Sequence, residues 1–234
     1  MENNLRDYIT KQFSALRFEE QRHLYFVGKD RYPSVSSKID KHSPKFDMEK
    51  YSKLCAVKEG VTQEEMKQKW GNYNKERIAV GSITHNFLEV YNGTQSPRTN
   101  EERAGVLFLK EHLNDYEIID REIRMFSWNF KYAGTADIPL VNKKTGGVVI
   151  ADYKTNIDLF KSYDFLYPPF QYLESSPYNK YQLQLSYYQI MLEEIGVKVE
   201  DRWIVHLRGD GTYKKYETYD YAPYLIDYMK KQAA

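Results

Sequence analysis

Gly134-Thr135-Ala136-Asp137, an apolar run over 138–141, a turn over 142–147, a second run over 148–151 and then Asp152-Tyr153-Lys154-Thr155 decide how this chain reads. Two apolar runs joined by Lys143-Lys144-Thr145-Gly146-Gly147 predict a β-hairpin, because glycines punctuate a turn between β-type segments. Strand residues i and i+2 share a face, so Asp152 and Lys154 project together. Asp137 heads the first strand, opposite the tail of the second, and can join them. Two carboxylates and an amine gathered there can hold a divalent cation and place a water beside it. A lone Asp-x-Lys is more often a solvated pair, so the rest of the chain has to decide.

The chain has 234 residues, enough for one good core or a core with a small lobe. Charged residues make up 29%, yet the net charge is +1, so no global basic field exists to hold nucleic acid. Such a partner must be met by a local basic patch. The single Cys55 excludes a disulfide framework, a four-cysteine zinc site and a cysteine-held iron–sulfur cluster. No apolar run reaches transmembrane length and the start has no signal-peptide pattern, so a soluble cytoplasmic protein with no membrane partner is expected.

Upstream of the hairpin, residues 75–93 read as a helix with an apolar stripe of Ile78, Val80, Ile83, Phe87, Leu88 and Val90, ended by Gly93. Gly81, His85 and Glu89 fall at i, i+4 and i+8 on one face. A helical histidine is commonly structural, but a neutral imidazole can also complete a metal shell or contact a phosphate. A glycine one turn before it permits close approach. Residues 1–20 read as an amphipathic helix and 23–27 as a short strand. Ser34 or Ser36 can cap a helix. Another helix runs from Phe46-Asp47 to about Glu59, and Thr62 to Glu65 form a capping box for the next. Lysines 38, 41, 45, 50, 53, 58, 67 and 69 make this region basic, with Tyr51, Trp70 and Tyr73 interleaved. That interleaving suits single strands, although a lysine run is more often a solvated face.

Closer to the hairpin, Asn100 caps a helix over 101–113, followed by strands over 116–126 and 128–133. Beyond it, an aromatic irregular stretch covers 156–176 and either lines the site or packs over an edge. A helix from 175–177 to about 194 carries Gln184 and Tyr188 one turn apart. A strand over 202–208, the Gly209-Asp210-Gly211 turn, a strand over 213–219 and a helix over 221–231 close the chain.

A helix with His85, three strands bearing Asp137 and Asp152-Tyr153-Lys154, then a helix with Gln184-x-x-x-Tyr188: this order resembles the PD-(D/E)xK nuclease superfamily, and within it the RecB-type exonuclease branch. The matching pieces are Gly81/His85/Glu89, Gly134/Asp137, Asp152 to Thr155, and Gln184/Tyr188, spread over residues 75–215. The segment with Tyr32-Pro33-Ser34-Val35 and Phe46-Asp47 is similar to phage-encoded and mitochondrial genome-maintenance relatives. The resemblance implies an α/β (mixed α+β) fold. Residues 75–234 would form a restriction-endonuclease-like core with a central mixed sheet flanked by helices. Residues 1–74 would form a mainly helical lobe, a candidate substrate guide.

The resemblance also implies a Mg²⁺- or Mn²⁺-dependent DNA exonuclease in DNA replication, recombination or repair, in a bacterial or phage-infected cell. Its DNA would be single-stranded or have free ends, and replication or recombination proteins would be further partners. No iron–sulfur cluster is expected with one cysteine, and no fused helicase motor without a Walker-type phosphate loop. Asp137 and Asp152 would ligate the metal, with the Tyr153 carbonyl and His85. Lys154 would position the attacking water, since two nearby carboxylates keep its ammonium charged. Gln184 and Tyr188 would hold Lys154 or the phosphate backbone, and Glu89 and Thr155 are secondary candidates. Contacts of this kind carry no sequence information. The rivals are a structure-specific or restriction-like endonuclease on the same fold, a nucleic-acid-binding module without catalysis, and a scaffold whose acids are coincidental.

Overall fold

The two runs flanking the 142–147 turn pair as antiparallel strands in the computed structural model, which describes residues 2–233 and the side chains of 5–232. The helices are α1 (Glu2–Gln12), α2 (Val35–Asp40), α3 (Met48–Glu59), α4 (Gln63–Val90), α5 (Asn100–His112), α6 (Pro177–Glu194) and α7 (Ala222–Ala233). The strands are β1 (Leu16–Glu19), β2 (Leu24–Val27), β3 (Asp30–Tyr32), β4 (Tyr116–Ile118), β5 (Ile123–Phe126), β6 (Ala133–Ala136), β7 (Ile138–Asn142), β8 (Val148–Lys154), β9 (Val199–Leu207) and β10 (Tyr213–Glu217).

The central sheet has the order β10-β9-β8-β7-β4, with β8 and β9 parallel and the other pairs antiparallel. A parallel pair needs a long crossover, and α6 supplies it. Alternation along β8 divides the interior in two. Val148 and Ile150 join the core built on α6 and α7, while Val149, Ala151 and Tyr153 join the core built on α5. The fold is therefore mixed α/β, with a mixed sheet flanked by helices. A three-stranded sheet, β1-β2-β3, and the β5-β6 pair complete it.

Local chemistry explains most element ends. Ser34, Asp47, Thr62, Thr99 and Ser176 accept from backbone amides and cap α2 to α6 respectively; at Thr62 and Thr99 a glutamate returns the bond as a capping box. Gly60 ends α3 with φ of 68°.

Several expectations change. The first helix stops at Gln12, because Leu16 and Phe18 follow a two-residue period and β1 pairs with β2. The helix expected over 75–93 begins at Gln63 and ends at Val90. Gly71 alone does not interrupt it, so α4 passes unbroken through residues 74 and 75, where lobe and core were divided. Of its apolar stripe, Leu88 is buried, whereas Ile78, Ile83 and Val90 are exposed. Thr99, not Asn100, caps α5. The run 116–126 is two strands in two sheets, because Glu122 adopts a left-handed backbone (φ 51°) that turns the chain between them. Trp128 lies in the turn closed by the Ser127 amide on the Tyr132 carbonyl, and β6 starts only at Ala133.

Candidate metal centre

Asp137 is the single residue between β6 and β7, where the chain passes from the small sheet to the central one. Ile138 pairs with Ala151, which sets Asp137 beside Asp152 on the neighbouring strand. Asp137 is 9% exposed and Asp152 1%. The Tyr153 amide donates to Asp137 Oδ2 at 2.7 Å. The other oxygen, Oδ1, meets α4, where His85 Nδ1 lies 3.4 Å away. His85 Nδ1 is also 3.6 Å from Glu122 Oε1, and its Nε2 is 3.2 Å from the Tyr153 carbonyl.

Backbone geometry delivers Glu122. Its left-handed φ reverses the chain, and its amide donates to the Asp137 carbonyl at 2.9 Å. Ligand atoms of His85, Glu122 and Asp137 all lie within 4.8 Å of one another, and this group can hold a metal ion. One ring nitrogen and two carboxylates are donors that a hard or borderline divalent cation accepts.

Asp152 and Lys154 share the strand face that turns towards α6. The Lys154 ammonium pairs with Asp152 Oδ2 and sits 4.2 Å from the centre of the Tyr181 ring. Tyr181 is anchored by its hydroxyl, which donates to Asn156 Oδ1 at 2.9 Å. Asp152 Oδ2 faces the Lys154 ammonium, whereas Oδ1 has no hydrogen-bond partner. The Lys154 ammonium offsets part of the cost of burying this carboxylate, and the lone pairs of Oδ1 stay open to a second cation. Asp152, beside Asp137 on the neighbouring strand, stands outside the His85–Glu122–Asp137 group, and its open Oδ1 fits a divalent ion.

The proton affinities follow from the crowding. Burial raises the Asp152 carboxyl to about 6, and the charge of Asp137 adds to this. Burial acts to raise Asp137 as well, but the adjacent His85 outweighs it and lowers that carboxyl. The Asp137 charge, against the effect of burial, pushes His85 up to about 11. Burial opposes the Lys154 charge, yet Asp152 prevails and holds its ammonium above the ordinary range. Without an ion, His85 and Lys154 together provide the positive charge that the carboxylates require.

Gln184 Nε2 donates to the Tyr188 hydroxyl at 2.7 Å. Tyr188 is buried, and burial followed by the Asp152 charge raises its phenol well above the ordinary range. A methyl group on Gly134 would stand 2.6 Å from Tyr188 Cε1 and 3.2 Å from Val35 Cγ2. The glycine of Gly134-x-x-Asp137 thus makes room for that ring.

No protein-family model matches this chain, and no curated protein does. Among solved structures it is similar to SSO0001, at 15% identity over 58% of this chain and 59% of that one, with a TM-score of 0.31. It is also similar to a protein from Eubacterium rectale provisionally named an exonuclease, at 12% identity over 86% of this chain and 72% of that one, with a TM-score of 0.37. The chain therefore spans 59% of the length of the first. Likeness of this degree leaves the functional argument to the side chains.

The structure brings His85, Asp137 and Tyr153 together, with Asp152 and Lys154 on the adjoining strand; Gln184 bonds Tyr188 rather than Lys154, which lies on Asp152 and Tyr181 instead. Glu89 is exposed and stands outside the His85 group. The Thr155 carbonyl accepts from the Arg77 guanidinium, which also lies 3.8 Å from Glu101. A Cβ on Gly81 would be 3.4 Å from Thr155 Oγ1, an ordinary contact, so the close approach there does not demand glycine. Two contributors escape sequence reasoning. Glu122 sits inside an alternating run and reads as a strand residue. Tyr181 lies three residues before Gln184 on the same helix face, and that spacing was the available signal.

Proposed function

We propose that this chain is a divalent-metal-dependent deoxyribonuclease that hydrolyses phosphodiester bonds, acting as an exonuclease on single strands or free ends in DNA replication, recombination or repair. The supporting observation is Asp152: almost fully buried, with Oδ2 on the Lys154 ammonium and Oδ1 without a hydrogen-bond partner, beside Asp137 on the next strand. Phosphodiester hydrolysis needs charge neutralised on the phosphate and a water activated next to it. A bound ion supplies both.

Asp137, Asp152, Glu122, His85 and the Tyr153 carbonyl are the residues that would hold the ion. The oxygen-rich set suits Mg²⁺ and Mn²⁺, and the imidazole favours Mn²⁺. Lys154, fixed between Asp152 and the Tyr181 ring, keeps its proton. A permanent ammonium suits orienting a water and stabilising negative charge on the reacting phosphate, more than it suits abstracting a proton. Gln184 and Tyr188 bond to each other on α6 close enough to Asp152 for its charge to act on the Tyr188 phenol, and they would contact the phosphate backbone.

A flexible strand would approach over the α3–α4 hairpin. Phe46 and Tyr51 stack there with ring centres 5.3 Å apart, Trp70 meets Phe46 edge-on, and Lys50 lies over Tyr51. Phe46, Tyr51 and Tyr73 are all exposed. Exposed aromatics with adjacent ammonium groups are what single-strand stacking requires.

The test is end-labelled single- and double-stranded DNA, and a closed circle, incubated with Mg²⁺, Mn²⁺ or chelator. Loss of labelled ends with the circle intact is expected. A nicked circle would instead make the protein an endonuclease, and no cleavage with either metal would end the nuclease proposal.

A further inference from the structure

A cavity of about 400 Å³, lined by no residue of the metal centre, opens between α2, the β5–β6 turn, α6 and α7. Lys38, Lys41 and Lys131 line it together with Phe130, Tyr187 and Tyr228. Among the described residues, no aspartate or glutamate lines it. Acids on the same elements are engaged elsewhere. Glu194 accepts from the Ser127 hydroxyl and the Trp128 amide, Asp227 pairs with Lys231, and Asp40 acts on Lys180.

Lys38 is the most informative of the three. Its ammonium lies 5.3 Å from the centre of the Tyr132 ring and 5.9 Å from that of Tyr187. Burial, followed by the charge of Lys41, lowers its proton affinity. Lys131 carries a left-handed backbone (φ 55°), an unusual conformation for a residue with a side chain, and its ammonium is 5.8 Å from the Tyr32 ring. His42 is already occupied, with Nδ1 2.7 Å from the Pro168 carbonyl, so the positive charge comes from the lysines. A half-buried ammonium normally finds a carboxylate. Lys38 has none at the cavity, and the exposed Lys41 and Lys131 beside it add to a field for an anion.

The volume sets the size of that anion. Small-molecule sites occupy roughly 300–1,000 Å³, and a bare phosphate would leave most of this one empty. The partly exposed Phe130 and Tyr228 offer rings for a planar group to stack on, with the buried Tyr187 beneath.

We propose that this cavity binds a nucleoside monophosphate, with its phosphate on Lys38, Lys41 and Lys131 and its base against Phe130 and Tyr228. The site shares no residue with the metal centre, so it stands whether or not the chain is a nuclease.

Calorimetry on the full chain in chelator tests it with dAMP, deoxyadenosine and inorganic phosphate. Binding of dAMP is expected, with deoxyadenosine and phosphate each weaker by about tenfold or more, since each lacks half of the contacts. Lys38→Met keeps the packed stem and removes the charge, and Lys131→Met does the same at the turn. Each should weaken dAMP by about tenfold or more, in line with the loss of one charged contact, while Asp152→Asn binds as wild type. If Lys38→Met fails to fold, the exposed Lys41→Glu reads the same field. Absence of dAMP binding, equal binding of phosphate alone, indifference to the lysine substitutions, or loss of binding in Asp152→Asn would each overturn the proposal.

Discussion

The Glu122 carboxylate stands 3.6 Å from the His85 imidazole, and both residues contact Asp137, Glu122 through its backbone amide and His85 through its ring. If Glu122 contributes an oxygen to the ion, Glu122→Gln should weaken Mn²⁺ binding by about 10–100-fold, the range typical of perturbed metal surroundings. Stability in chelator should hardly change, because the side chain is partly exposed. Calorimetric titration checks this, and an unchanged affinity would leave Glu122 as a partner of His85 alone.

Lys154 touches Asp152 and Tyr181 but is not a metal ligand. Lys154→Met should therefore separate binding from chemistry. Single-turnover cleavage should fall by at least about 100-fold, as when one charge-stabilising donor is removed, while Mn²⁺ affinity is retained. A fall in affinity that accounts for the whole loss of rate would move Lys154 from the reaction to the assembly of the site.

Gly134 and Gly81 offer a paired test of close approach. Gly134→Ala drives a methyl into the Tyr188 ring, an overpacking that costs about 1–3 kcal/mol. For a chain of this size that is a drop in Tm of roughly 2–4 °C per kcal/mol. Gly81→Ala meets only an ordinary contact in the middle of α4, so the helix preference for alanine, up to about 1 kcal/mol, should dominate and raise Tm. Thermal melts of the two variants in chelator should move in opposite directions.

An ion that binds the folded chain must also stabilise it. With Mn²⁺ at about 100 times its Kd, the gain is about 2.7 kcal/mol. Asp137→Asn should abolish most of the Mn²⁺-induced rise in Tm, and chelator should reverse the rise in wild type. An equal rise in wild type and variant would place the ion elsewhere.

Sequence alone determined the features whose causes lie within a few residues. The β7–β8 hairpin was legible from two apolar runs around a glycine turn, the start of α4 from the Thr62–Glu65 capping box, and the α6 core face from Leu183, Tyr187, Ile190 and Met191. Strand periodicity alone placed Asp152 and Lys154 on one face. Only the tertiary structure decided what meets them. Glu122 enters the site because a left-handed residue breaks an apparently continuous strand, and His85 because α4 crosses the end of β8. Tyr181 comes to lie against Lys154 because α6 crosses back over the sheet before β9 pairs parallel to β8. Period and capping are short-range properties of the chain. Convergence at a site depends on which distant strands pair, and that is settled by burying both sheet faces at once.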